Sequence, residues 1–553
     1  MSALLEGFDP IQIQDLEGAR QATVMLLNLV ETLKTENQEL REQNQRLRDE
    51  INRLKGEQGK PNIKPNRQKR EPSDHSSEQE RRKPKKRRKR RKLDKIKIDR
   101  IEELDVEPER LPADAKFKDY EDVTVQDLSI HTDNVLFRKR KYYSASEGKT
   151  YQAELPPAYK GEFGPGIKSL AIVMHFGMQA TEPKIGEFFD HFGIQISSGQ
   201  LSNLLIKDKE PFHAEKDAIY EAGVRSSPWQ HIDDTSARVS GQNQHCHIVC
   251  NPLYSAYFTT EKKDRLTVID VLWNTDERRF LLNNGAFELL RSLRVSARVI
   301  SQLNALPHEQ ELGKDEFTGL LKQHLPNLGV QQRKWILDAT AIAAYQAQTE
   351  FPVVKLLICD DAPQFKLVTD ELFLCWIHEG RHYKKLVPHV AYHRQLLSDF
   401  RKRFWDFYDQ LLVYREHPTA ANHVRLANEF DELFSTVTGY DALDERITKT
   451  KAKKESLLMV LEYPEIPLHN NSAELAARKR VRRRKISFGT RSEDGTKAWD
   501  TFATLEATAK KLDVSFYEYI YDRVSGTYKM PSLADLISAR AEHLQLGASW
   551  FPP

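Results

Sequence analysis

Val353-Val354-Lys355-Leu356-Leu357-Ile358-Cys359 is a nearly continuous apolar run that stops at Asp360-Asp361, with Pro363 close behind. Its length and composition describe a strand buried on both faces. Pro363 forbids its continuation. A chain with such a strand needs covering layers, which points to an α/β core. A second acidic segment, WQHIDDTSARVSG, lies upstream and carries Asp233. Two strand-like runs follow it, His245 to Cys250 and Tyr254 to Thr259, separated by Asn251-Pro252-Leu253. The three read as a small antiparallel meander with Asp233 on its first strand.

A third acid, Glu474, opens a strongly basic helix in NNSAELAARKRVRRRK. Three carboxylates far apart in sequence but at element ends suit phosphoryl transfer by two metal ions. Two cations about 3.5–4 Å apart clamp the attacking and leaving oxygens. Hard Mg²⁺ or Mn²⁺ takes a few carboxylates plus water and phosphate oxygens. Asp233 is expected to bridge two ions, with Asp360 on one and Glu474 on the other. Asp234 and Asp361 are the alternatives one position along, because side chains alternate across a strand. Arg478 and Arg482 follow Glu474 at i+4 and i+8, and Lys485 comes a turn later. These three are candidate phosphate contacts, and a solvated basic face is the plainer reading.

Specific motifs accompany the acids: Asp233-Asp234-Thr235, Cys375-Trp376-Ile377-His378-Glu379-Gly380-Arg381, Asn470-Asn471-Ser472-Ala473-Glu474 and Arg484-Lys485-Ile486-Ser487-Phe488-Gly489. In these the chain resembles the insertion-sequence-66 family of transposases, over roughly residues 20–525. The family usually shows D-E-T at the first motif, and many members carry a cysteine-rich zinc motif before the catalytic domain. Here the first cysteine is Cys246. The resemblance implies a DDE transposase with a ribonuclease-H-like fold, in a bacterium. It also implies that a freed 3′-OH at each element end attacks target DNA in the same site. His378 and Arg381 fit the family's C-W-x-H-x-x-R pattern and are expected near the active site or a DNA phosphate. Cys375, His378 and His382 lack a second pair of zinc ligands, and His245-Cys246-His247 with Cys250 alternate across a strand, so no zinc is expected.

The 553 residues suggest about three to four domains. No run of 18 apolar residues offers a membrane span, and no secretory leader is expected. Four cysteines fit a reducing compartment rather than a disulfide framework. A cytoplasmic, nucleoid-associated location is the expectation. The net charge of +3 conceals a segregation. Lys64 to Lys92 holds 15 Lys and Arg against 4 Asp and Glu, a local net of +11, which leaves −8 on the rest. Concentrated positive charge marks nucleic-acid binding.

The N-terminal segment, 1–58, reads as a coiled coil. Leu26, Leu33, Leu40, Leu47 and Leu54 form a d column, with Thr23, Val30, Asn37, Asn44 and Ile51 at a. That pattern favours a parallel homodimer, and a lone helix packed on its own domain is the alternative. Residues 59–95 read as a disordered basic linker, with Arg87 and Arg88 central to its DNA-tethering run. Residues 96–160 are assigned to a small β-rich module, within which 115–158 alternate like three or four short strands, with turns near Thr132-Asp133-Asn134 and Glu147-Gly148. Within 161–212, helices at Glu182 to Phe192 and Ser198 to Lys207 read as a helix-turn-helix-like DNA-binding segment. The catalytic domain is assigned to 213–495, with all-helical insertions near 276–350 and 379–460, and a helical tail to 496–553. The expected function is transposition: cutting element ends and joining them to target DNA. Partners are DNA, a second copy or a larger synaptic complex, and accessory proteins of the same element. A nuclease of the same fold and a transposase-derived DNA-binding regulator are the rival readings.

Overall fold

The computed structural model describes residues 15–55, 96–112, 115–159 and 161–550. At its centre is a five-stranded mixed sheet. It is built from β3 (Trp229–Val239), β4 (Gln242–Cys250), β5 (Ser255–Thr260), β8 (Leu356–Cys359) and β9 (Glu371–Leu374), in the order β5-β4-β3-β8-β9. β3, β4 and β5 form the expected antiparallel meander, while β8 and β9 pair parallel, β8 directly beside β3. All four residues of β8 are buried, as its apolar run requires. The strand begins three residues later than the run itself, because the Val354 N–H donates to the Tyr345 hydroxyl and the Lys355 N–H to the Pro228 carbonyl. β9 had no expectation in sequence. Four residues are too few to show a period.

Helices cover the sheet. The most relevant are α4 (Glu210–Arg225), α5 (Val330–Ala347), α9 (Asn471–Ser487) and α10 (Glu493–Lys511). α9 crosses β3 and β4, and α10 lies along β5. Ser492 caps α10 by accepting from the Gly495 N–H. The second expected insertion is helical, from α6 (Trp376–Lys384) through α7 (Ala391–Glu416) and α8 (Asp441–Lys451). Trp376 anchors it: its buried ring packs against Phe404, Phe407, Phe430 and Phe434. The first insertion is not all-helical. It includes the antiparallel pair of β6 (Arg279–Leu281) and β7 (Glu311–Gly313), strands of three residues separated by helices whose periodicity obscures them.

The N-terminal regions differ more from expectation. α1 (Leu16–Leu54) is one helix of 39 residues. Its Asn28 and Glu31 are buried against the helical insertion. Asn28 donates to the Gly439 carbonyl at 2.8 Å, and Glu31 accepts from the Val390 N–H at 2.8 Å and from the His389 N–H. Leu26, Leu33, Leu40, Leu47 and Leu54 remain exposed. α1 is therefore docked on its own chain through one face while the heptad seam stays open. The described residues of 96–160 hold one hairpin, β1 (Lys141–Ser144) with β2 (Lys149–Gln152), turning at Gly148 as expected. The other anticipated strands are absent among the described residues, since alternation alone supplies no ladder partner. The two helices α2 (Glu182–Asp190) and α3 (Ser198–Ile206) form as expected, α3 with a Ser197–Gln200 capping box. The basic run with Arg87 and Arg88 lies outside the described residues. No described helix is long and apolar enough to cross a membrane.

Candidate active site

The β3–β8 register runs Trp229–Leu356, Gln230–Leu357 and His231–Ile358. Carried two residues further, it sets Asp233 beside Asp360, one at mid-strand and one just past a strand end. Adjacent strands lie about 4.8 Å apart, and parallel neighbours in register point to the same face. The electrostatics agree: burial, then the Asp360 charge and more weakly Glu474, push the Asp233 carboxyl up to about 7. The structure therefore brings the three expected carboxylates together.

The neighbouring acids face elsewhere and are already partnered. Asp234 accepts from Gln364 at 2.7 Å and pairs with Lys263 at 3.3 Å. Asp361 pairs with Lys453 at 2.6 Å and Lys366 at 2.8 Å. Lys453 also holds the buried Glu379 at 3.0 Å, so Asp361 belongs to a network that ties the sheet to the helical insertion. No local pattern around Lys453 announces this, and sequence reasoning missed it. Among the described residues Asp233 and Asp360 make no ion pair of this kind, and their side chains accept from nearby backbone N–H groups, Asp233 from Asp234 at 2.8 Å and Asp360 from Ala362 at 3.2 Å.

Glu474 arrives on the first turn of α9, and Asn470 aims that turn. The Asn470 amide donates to the Ile232 carbonyl at 2.7 Å, its Oδ1 meets His231 Nδ1 at 2.9 Å, and its backbone N–H donates to Cys375 Sγ at 3.3 Å. These contacts fasten the helix start to β3 one residue before Asp233. Asn470 does not cap the helix with its side chain. Ala473 and Ala477 are buried beneath α9, and such small side chains let the helix sit close on the sheet.

α6 supplies the other side. Arg381 donates to both Glu474 oxygens, at 3.0 and 3.2 Å, a bidentate pair. His378 Nδ1 lies 3.5 Å from Glu474 Oε1 without a hydrogen-bond partner. Burial and then Arg381 hold its imidazole below the usual histidine range, which favours the neutral ring. The C-W-x-H-x-x-R pattern thus reads physically: Cys375 and Trp376 face the core, and His378 and Arg381 face the carboxylates.

The carboxylates fit divalent cations, since burial and then the Asp360 charge penalise the ionised Asp233 carboxyl, and bound positive charge would relieve both. Cys375, His378 and Glu474 also place donor atoms within 4.8 Å of one another. Burial pushes the Cys375 thiol up to about 11, and it already accepts from Asn470, so it suits packing better than ligation.

On α9, Arg478, Arg482 and Lys485 are exposed, as phosphate contacts or a solvated face would be. Arg480 and Arg483 turn inward. Arg484 donates to the Ser236 carbonyl and hydroxyl on β3. After the helix, the Thr490 N–H donates to the Arg238 carbonyl at 3.0 Å. Gly489 permits this approach, because a Cβ there would sit 2.2 Å from the Arg238 oxygen.

Residues 350–498 match the family described as Transposase IS66 family, a span that holds Asp360, α6 and all of α9. The chain belongs to the IS66 family of transposases. It is also 30% identical over 332 residues to an uncharacterised protein, y4jO, of Sinorhizobium fredii (strain NBRC 101917 / NGR234). That alignment covers 58% of this chain and 100% of the relative. Membership in the IS66 family implies an enzyme that acts on DNA.

Proposed function

We propose that this IS66 transposase cuts the ends of its element and joins their 3′-OH groups to target DNA at a site formed by Asp233, Asp360 and Glu474. The observation that carries the reading is the side-by-side placement of Asp233 and Asp360, with Glu474 brought over them by the Asn470 contacts. The strand order, a three-strand meander followed by two parallel strands on its inner edge, supports a ribonuclease-H-like core. Divalent cations such as Mg²⁺ or Mn²⁺, held by these carboxylates, would act as Lewis acids and neutralise charge developing on the reacting phosphate.

The chain's own residues do the positioning. Asn470 fixes the reach of Glu474. Arg381 neutralises Glu474 and is placed to meet a phosphate once that carboxylate turns to a cation. His378, held neutral, can accept a proton at Nδ1. Arg478, Arg482 and Lys485 present charge to the DNA backbone, a contact that positions without reading sequence. The open heptad seam of α1 supports pairing with a second copy, which would bring two sites to two element ends.

Incubating purified protein with labelled end DNA, plasmid target and Mg²⁺ tests this. Joined product supports transposition, cut ends that never join indicate a nuclease, and binding without cutting indicates a regulator.

A further inference from the structure

Arg480 and Arg483 are 6% and 7% exposed, yet among the described residues neither pairs with a carboxylate. Their guanidinium carbons lie 5.1 and 4.9 Å from the ring centre of one tryptophan, Trp499. Arg480 donates to the Thr259 hydroxyl at 3.1 Å. Arg483 donates to His175 Nε2 at 3.0 Å and to the Ala180 carbonyl at 3.4 Å, and its Nε has no partner. His175 sits in a π-helical turn, Val173–Gly177. Burial and Arg483 push its imidazole down to about 3, so it accepts as a neutral ring.

The nearest acids do not resolve this charge. Asp500 is taken by the Thr259 N–H at 2.6 Å and hydroxyl at 2.9 Å. Glu182 acts on Arg483 only at a distance. Burial and the Arg480 charge pull the Arg483 guanidinium down to about 10. Two buried like charges on one ring are costly unless an anion joins them. Arg238 and Arg484 line the mouth of the same small cavity, beside Gly489.

Next to that mouth stands Phe488. It is 76% exposed and adopts φ +61°, a conformation that a bulky residue rarely takes. Strain of this kind persists where the surroundings impose it and clusters at functional sites. Here the helix end and the Thr490 hydrogen bond to β3 impose it, and they present the ring to solvent.

We propose that this corner is a DNA-strand site: a backbone phosphate docks at the mouth of the cavity, on Arg238 and Arg484 and in the field of the buried Arg480 and Arg483 behind them, and an unpaired base stacks on Phe488. Arginine suits the first task because its fork matches phosphate oxygens. An exposed aromatic beside cations suits the second, since every base has a π-face. Ser236, gripped by Arg484, lies three residues beyond Asp233, about 10 Å along β3. That is roughly three nucleotides at the 3.4 Å rise of one strand. The site would hold the strand a few nucleotides from the bond that is cut. The inference rests on the DNA reading of the carboxylate site but does not need its chemistry.

The test uses the full chain in EDTA, so failure of catalysis cannot imitate failure here. A mixed-sequence 20-nucleotide strand carrying 2-aminopurine and the matching 20-base-pair duplex are the probes. Phe488→Ala should lose the aminopurine quenching and weaken strand binding by roughly tenfold, the worth of one stacked base. Duplex binding should be unchanged, and Phe488→Trp should restore the strand signal. Arg238→Gln and Arg484→Gln should each flatten the slope of log affinity against log salt for the strand by about 0.7. Wild-type behaviour of Phe488→Ala, or an equal loss on strand and duplex, overturns the stacking platform. An unchanged salt slope in both arginine variants overturns the phosphate cavity.

Discussion

Arg381 holds Glu474 through two parallel N–H···O contacts, at 3.0 and 3.2 Å, which occupy both carboxylate oxygens. A cation bound by Glu474, as proposed, would have to compete with this guanidinium. Arg381→Ala should raise affinity for Ca²⁺, measured by titration calorimetry without DNA. The Arg381 side chain is 42% exposed, so the pair is worth at most about 1 kcal/mol and the gain should be roughly 2- to 5-fold. An unchanged or weaker affinity would show that Arg381 and the cation do not share Glu474.

The Asp233 carboxyl rises from 3.8 to about 7 in the fold. Between those values the folded chain keeps a proton that the unfolded chain has lost. Stability of the metal-free protein should therefore fall as pH rises from about 4 to about 7, then level off. Asp233→Asn removes the repulsion at its source. In EDTA it should melt above the wild type at pH 8, with the gap closing towards pH 4. Equal melting temperatures at pH 8 would mean that the ionised Asp233 carboxylate bears neither the cost of burial nor the repulsion of Asp360.

Asn470 and Asn471 are adjacent and chemically identical, yet they do different things. Asn470 satisfies the Ile232 carbonyl at 2.7 Å, whereas the Asn471 amide nitrogen is buried and has no partner among the described residues. Asn470→Ala should cost about 1–3 kcal/mol, because it leaves a buried carbonyl unpaired, and should slow DNA cleavage through a loosened Glu474. Asn471→Ala should melt closer to wild type. Melting curves of the two variants check this, and the reverse ranking would contradict it.

The three carboxylates were legible because each lies on or beside an element whose local pattern is strong. The β8 run ends at Asp360, Asp233 lies on the first strand of a meander, and Asn470 to Glu474 opens a helix. The choice of Asp233 over Asp234 needed the structure, because only it shows Asp234 occupied by Lys263 and Gln364. What stayed hidden depends on long-range packing. Residues 115–137 alternate like strands but find no ladder partner among the described residues, and the two three-residue strands of β6 and β7 are too short to carry a period. The inward turn of Arg480 and Arg483 is set by Trp499, which stands 16 residues beyond Arg483 with no pattern to link them.

The Glu31 side of α1 is docked on the helical insertion and its leucine seam is exposed, so packing on its own chain leaves room for the pairing proposed from the heptads. Replacing Leu40 and Leu47 with Lys should convert a dimer to a monomer in analytical ultracentrifugation while the melting temperature of the catalytic domain stays put. A wild-type chain that already sediments as a monomer would contradict the pairing.

The central claim is that Asp233, Asp360 and Glu474 form one catalytic site. Its most direct test is cleavage of labelled element-end DNA in Mg²⁺ by Asp233→Asn, Asp360→Asn and Glu474→Gln, set against Asp234→Asn and Asp361→Asn, with DNA affinity measured in parallel. Loss of cleavage in the first three with binding retained, and measurable cleavage in the last two, is the predicted result. Near-normal cleavage by any of the first three would remove that residue from the site and contradict the account.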